Sequence, residues 1–314
     1  MSTLCFRQRL HLGLWVGLLT LIPDRLTAHA GPEHEIAELT EEILFFGATG
    51  DRLLQRAIEY RTLGRLSEAE KDLKQAVTVQ PSQLGIRREL ARVQYGLGLT
   101  KEALQSVESG LRISENDPDE RASLLMLRGE LQVSDGKREK ALSDFDAAIQ
   151  LHPENADWFL LRSGLQRLLG KHEARLAGLK EGIRRTGSGM LEIERTEALL
   201  DAGLWALALK QIQPELEASR LKASWQIRRA RALIGLKRRA EAETDLRLAV
   251  TEIELRLGPG LKEASLLADR GFAYELLGQT KEALHNYIAA MDAGSGLEVQ
   301  TRLKALQAAS TPHP

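Results

Sequence analysis

The 314-residue chain has almost no cysteine: Cys5 is the single one. Internal disulfides, cysteine-based zinc sites and redox pairs are therefore excluded. Aromatic residues are scarce at 4%, and prolines number 9. Charge of one sign is missing too, since 43 basic residues meet 44 acidic ones for a net −1. That balance argues against an electrostatic nucleic-acid binder or a polybasic membrane coat. Only one long apolar run occurs, residues 12–22, and it is about half of the roughly 20 residues a membrane-spanning helix needs. What remains is 43% hydrophobic and dominated by Leu, Ala, Arg and Glu, a composition that favours helices around a core.

The apolar run follows Arg7 and Arg9 and precedes Pro23 and Ala28-His29-Ala30. A charged start, a short apolar segment and an A-x-A site describe a secretory signal peptide over residues 1–30. Asp24 and Arg25 between the run and the cut are unusual, and an uncleaved N-terminal anchor is the competing reading. Cleavage would leave an exported chain, periplasmic or secreted, with no cysteine, no stable membrane span and stability from packing alone.

The body repeats itself. Residues 56–77, RAIEYRTLGRLSEAEKDLKQAV, and 229–250, RARALIGLKRRAEAETDLRLAV, share eleven of 22 positions without a gap. Residues 122–148 and 264–290 share eleven of 27. Each copy reads as two amphipathic helices around a glycine turn, with an alanine where the helices must approach closely.

These copies resemble the tetratricopeptide repeat, a helix–turn–helix unit. The first carries Ala57, Tyr60, Gly64, Ala69, Leu73, Ala76 and Pro81 in that family's order. The third carries Gly129, Gln132, Gly136, Ala141, Phe145, Ala148 and Pro153, and the last Gly271, Tyr274, Gly278, Ala283, Tyr287 and Ala290. Four weaker copies lie around Ala91/Gly98/Ala103, Ser163/Gly170/Arg175, Thr196/Gly203/Ala208 and Ala230/Lys237/Ala242, with Arg175 standing where a small residue is expected. The resemblance implies an all-α fold: a right-handed α-solenoid of about seven stacked pairs over 49–294. A capping helix is expected within 31–48 (residues 33–46), and another with a loose tail within 295–314 (helix 297–309). An insertion at 251–257 should lengthen the second helix of the sixth unit.

Six units place an arginine just before the small residue of the first helix: Arg56, Arg128, Arg162, Arg195, Arg229 and Arg270. Such a row could track an anionic ligand. Sixteen residues on, however, stand Asp72, Asp144, Asp245 and, in the seventh unit, Asn286. Pairs Arg56–Asp72, Arg128–Asp144 and Arg229–Asp245 are therefore expected across each hairpin, leaving Arg162 and Arg195, opposite Gly178 and Gln211, free.

No catalytic or metal motif rises above background. The stretch from Gly164 to Lys171 has one residue too many between its glycines for a phosphate loop, and His172 stands where Ser or Thr belongs. His34-Glu35 and His172-Glu173 lack the second histidine of a zinc helix. A cofactor is not expected, nor is enzyme activity.

In the resembled family the first helices line the inner groove. Mapped here, that implies an apolar strip of Met126, Val133, Leu160, Ile193, Leu200, Ile227 and Ile234, edged by Arg88, Arg92, Tyr95, Arg167 and Arg231. Burial of the strip within the stack is the competing reading. The lysines and asparagines of the family's carboxylate-clamp members have no counterparts at these positions. The expected function is a non-catalytic scaffold of the cell envelope holding a protein partner in its groove. The alternative is a carrier or accessory subunit for a lipid or glycan, and self-association through incompletely capped ends is a further option.

Overall fold

The computed structural model describes residues 31–258 and 263–310, and the expected leader lies outside them. Among the described residues there are sixteen helices and no strand. They fall into two compact units, one ending at Pro81 and one beginning at Ser82.

The first unit holds α1 (Pro32–Phe46), α2 (Gly50–Thr62) and α3 (Leu66–Val79). Ile36 and Leu39 of α1 are buried beside the α2–α3 pair. Thr49 opens α2 by accepting from the Arg52 amide at 3.2 Å, a side-chain N-cap. The Arg56 guanidinium then bridges three helices: it donates to Asp72 of α3 at 2.7 and 2.8 Å and to Thr40 of α1 at 3.0 Å. The opening helix expected from sequence is thus present and fastened by that arginine.

The second unit continues with six pairs: α4 (Leu84–Gly96) with α5 (Thr100–Leu111), α6 (Pro118–Ser134) with α7 (Arg138–Leu151), and α8 (Ala156–Leu168) with α9 (His172–Thr186). Then come α10 (Gly189–Asp201) with α11 (Trp205–Ala218), α12 (Ala223–Gly235) with α13 (Arg239–Leu257), and α14 (Ala264–Leu276) with α15 (Thr280–Asp292). The closing helix is α16 (Leu297–Ser310). At 19 residues α13 outruns the 12 to 15 of the other second helices, as the insertion implied.

Every pair crosses at the anchor residues. Ala69, Ala103, Ala141, Ala208, Ala242 and Ala283 are all buried, and so are their first-helix partners. The partner's size follows its neighbour's. Where the second helix carries Phe145 or Tyr287, the first has Gly129 or Gly271, and a Cβ there would stand 2.4 or 2.7 Å from the ring. Where the second helix carries Leu73 or Leu246, alanine fits at positions 57 and 230.

The hairpin arginines behave as the 16-residue spacing predicts. Arg128 donates to Asp144 at 2.8 and 2.6 Å, Arg229 holds Asp245 in the same two-pronged way, and Arg270 donates to Asn286 at 2.6 Å. In the second pair, which has Leu90 instead of arginine, Ser106 donates to Gln94 at 2.8 Å.

The turns share one geometry. The amide three residues beyond the first helix bonds back five residues, as in Arg65 to Tyr60 and Gln279 to Tyr274, the Schellman arrangement that needs a left-handed residue at its centre. Glycine fills that place in six hairpins, but Lys237 fills it in the sixth at φ 62°. A left-handed non-glycine residue costs about 1–2 kcal/mol, partly offset by the greater unfolded entropy of glycine. Lys237→Gly should therefore stabilise the chain by about 0.5–1 kcal/mol, raising the Tm measured by circular dichroism by about 1–3 °C. An unchanged or lower Tm would show the turn to be unstrained.

Candidate partner-binding surface

In the second unit the first helices of neighbouring pairs meet: α4 touches α6, α8 touches α10, and α12 touches both α10 and α14. First helices therefore form one side of this unit, and the expected groove residues can be placed on it.

Arg92 and Tyr95 of α4, Arg167 of α8 and Ile193 of α10 are exposed there. The Tyr95 hydroxyl bonds with the Ser134 hydroxyl of α6 at 2.5 Å. Leu160 and Ile234 are half-buried. Met126 and Ile227, only 3% and 4% exposed, belong to the cores around α6–α7 and α12–α14, and Leu200 is buried as well. Packing first helix against first helix consumes these side chains, so the apolar strip is discontinuous. Of the edging cations, Arg88 is tied to Glu120 at 2.6 Å and Arg92 lies 3.6 Å from Glu89. Arg231 is enclosed between Glu197, Asp201 and the Phe272 ring.

Arg162 and Arg195 are not free, contrary to the sequence expectation. Arg162 leans over Gly178, whose missing side chain makes the room, and donates to Asp146 at 3.0 Å. Arg195 donates to Gln211 at 2.6 Å, and the Gln211 amide in turn donates to the Glu192 carbonyl at 2.8 Å. Five of the six recurrent arginines thus hold their own hairpins, Arg162 ties its helix to α7 of the preceding pair, and the row is no ligand track.

An ionic lattice that sequence reasoning missed centres on Arg175. This side chain is 0% exposed at the crossing where other pairs have alanine. It donates to Ser163 at 2.9 Å, to Glu194 at 2.7 Å and to Asp201 at 2.8 Å. The Ser163 hydroxyl donates to Glu194 at 2.7 Å. Asp201 and Glu197 pass the lattice on to Arg231, and Arg228 donates to Glu197 at 2.8 Å while lying over the Trp225 ring. Two sequence signals could have revealed it: Ser163 facing the odd Arg175, and three acids on one face of α10 at 194, 197 and 201.

Three carboxylates on this side are held above the usual range. For Glu120, Glu130 and Asp269 the first cause is burial, which penalises the ionised form, with nearby arginines opposing it. Among the described residues no three His, Cys, Asp or Glu side chains converge as metal ligands.

Two expectations follow. Arg175→Met should cost about 3 kcal/mol, because it strands two carboxylates in a crowded site. Hydrogen exchange should then rise first in α8, α9 and α10. Adding Glu194→Gln and Asp201→Asn should recover much of the loss. For Asp269 the folded pKa exceeds the unfolded one, so its ionised form weighs against the fold. Asp269→Asn should therefore raise the Tm at pH 7. The gain should shrink as pH falls through the folded pKa and vanish below about pH 4, where the native aspartic acid is protonated in both states.

Residues 54–118 and 126–179 match the tetratricopeptide repeat family model. DnaJ homolog subfamily C member 3 of Rattus norvegicus is 25% identical over 267 residues, covering 76% of this chain and 52% of that protein. Its Homo sapiens namesake matches at the same identity and coverage. The chain spans about half the length of these curated relatives. A tetratricopeptide repeat protein from Parabacteroides merdae superposes with a TM-score of 0.59 at 20% identity, over 82% of this chain and 98% of that one. The C-terminal part of a repeat protein from Cytophaga hutchinsonii does so at 0.57 and 13%, over 80% and 99%. Both are likenesses of fold. With its small-residue crossings and turns, the chain has the all-helical fold of stacked tetratricopeptide repeat pairs, and within it residues 54–118 and 126–179 match that family's model.

Proposed function

We propose that the chain is an exported, non-catalytic scaffold of the cell envelope, which holds a protein partner on the side lined by α4, α6, α8 and α10. The N-terminal pattern of charge, short apolar run and A-x-A site supports export, and none of the described helices is long and apolar enough to cross a membrane.

One observation carries the choice of surface. Gly164 sits in the interior of α8, in the row of Arg92, Glu130 and Glu197, where glycine costs about 0.5–1 kcal/mol relative to alanine. Gly129, Gly182 and Gly271, inside other helices, have rings against them and Gly178 has Arg162, but a Cβ at Gly164 would meet nothing within 4 Å. No internal packing asks for glycine here. An open backbone flanked by Leu160, Arg167 and Ile193 suits the close approach of another chain. Such a segment would set apolar side chains against Leu160 and Ile193 and a carboxylate against Arg167.

Gly164→Ala should stabilise the fold by about 0.5–1 kcal/mol. Gly164→Trp should leave the helical circular dichroism intact and abolish capture of the partner from an envelope extract. Arg92→Glu with Arg167→Glu should weaken the same capture. Equal capture by the native, Trp and double-Glu proteins would move the site off this face, and a protein recovered only from the cytoplasmic fraction would remove the envelope role.

A further inference from the structure

The end of α1 carries the most exposed apolar side chains of the first unit. Leu44, Phe45 and Phe46 are 77%, 75% and 73% exposed. They are consecutive, so at about 100° per residue they point around about 200° of the helix tip. A protein groove reads a helix along one stripe, at spacings of three, four and seven residues, and would leave part of this trio uncovered. A fluid apolar phase covers all three at once.

The turn that follows is suited to such a phase. From Ile43 to Gly50 the chain carries no charged side chain. The Arg52 guanidinium lies 5.7 Å from the centre of the Phe46 ring, but it is neutralised by Glu42 at 3.0 Å. The same guanidinium donates to the Gly47 carbonyl at 3.2 Å, and the Gly47 amide donates to the Ile43 carbonyl at 3.1 Å. The Thr49 side chain accepts from the Arg52 amide at 3.2 Å. Backbone groups that find partners inside the protein lose little on leaving water. Depth agrees as well. Glu41 lies five residues behind Phe46, about 7.5 Å along the axis, and interfacial apolar surfaces sink about 5–10 Å into a bilayer.

Charge around the tip selects the lipid. Glu41, one turn behind Leu44, and Asp51, at the start of α2, are both exposed, and the last turn of α1 has no basic residue. At headgroup depth such acids attract ammonium groups and repel lipids of net negative charge. From this complementarity we infer that the α1–α2 turn is a membrane-interface anchor. Leu44, Phe45 and Phe46 enter the outer part of a bilayer rich in phosphatidylethanolamine, and Glu41 and Asp51 meet its ammonium groups. Three side chains give weak, reversible attachment, comparable to that of a single acyl chain. The anchor rests on the first unit alone and goes beyond the partner surface around Gly164; neither reading depends on the other.

The test is flotation of the purified full chain with vesicles of phosphatidylethanolamine and phosphatidylcholine. The chain should float with them, and high salt should not release it, because apolar burial supplies the attachment. Phe45→Ser with Phe46→Ser should weaken vesicle binding by about tenfold or more while keeping the native circular dichroism and Tm, since both side chains are exposed. Leu255→Ser, at an equally exposed leucine of α13, should leave binding unchanged. Replacing half of the lipid by phosphatidylglycerol should weaken binding at low salt, and Glu41→Lys should remove that penalty. A chain that floats with neither kind of vesicle would overturn the inference. So would binding unaffected by the double serine variant, as insertion through the leader would give, a preference for phosphatidylglycerol, or an equal loss on Leu255→Ser. A mass that rises with concentration without vesicles, and falls in the double serine variant that never floats, would give the tip to a second copy and overturn it equally.

Discussion

Everything in this protein hangs on the close crossing of two helices within each hairpin. Helices of ordinary bulk sit 8–10 Å apart, and closer packing demands small residues where they touch. The anchor alanines supply that on the second helix of six pairs, and on the first helix alanine or glycine supplies it in five pairs, with Ser163 and Thr196 in the other two. Once the crossing is fixed, the rest follows by geometry. The residue four positions after each anchor must be shaped to its opposite, so Phe145 calls for Gly129 and Tyr287 for Gly271. The hairpin arginine reaches the same depth on the facing helix in five of the seven pairs, so a single spacing of sixteen residues serves Asp72, Asp144, Gln211, Asp245 and Asn286.

The fourth pair keeps the crossing but fills it differently. A buried guanidinium there needs all its donors met, and Ser163, Glu194 and Asp201 meet them. Glu194 and Asp201 belong to the next pair, so a contact that elsewhere stays within one hairpin here joins two. Hydrophobic packing would serve stability as well, as buried ion pairs seldom exceed it. What the ionic version adds is register. Carboxylates at 194, 197 and 201 fix how α10 sits against both α8–α9 and α12, and a shift of either neighbour by one turn would leave them unpaired.

The repeat architecture was legible because its rules are local. Spacing, glycine turns and anchor alanines recur every few dozen residues, and even the three expected arginine–aspartate pairs follow from distance along the chain. The candidate surface was less legible for a matching reason: exposure is decided between pairs, not within them. Nothing in the period distinguishes Ile193, which stays exposed, from Ile227, which is taken into the core of α12–α14. Arg162 illustrates the same point. Its own hairpin offers only Gly178 at the paired position, but that gap lets the guanidinium settle across it toward Asp146. Reading it as free assumed that a missing partner at one spacing meant no partner at all.

A surface rich in charge says little about binding until internal pairing is subtracted. Here the subtraction removes the six recurrent arginines, Arg88, Arg175, Arg228 and Arg231, each held by this chain's own groups. The residues left over are few, and two of them break a local rule with no internal gain. Gly164 weakens a helix that has room for a side chain, and Lys237 strains a turn that elsewhere takes glycine. Sequences that fold well agree with themselves at nearly every position, so disagreements mark demands from outside the fold. The two breaches fall on separate faces, one beside an open stretch of backbone and the other beside exposed leucines. The glycine leaves backbone open on the side proposed to receive a partner segment, and the lysine keeps a cation at the tip of its turn.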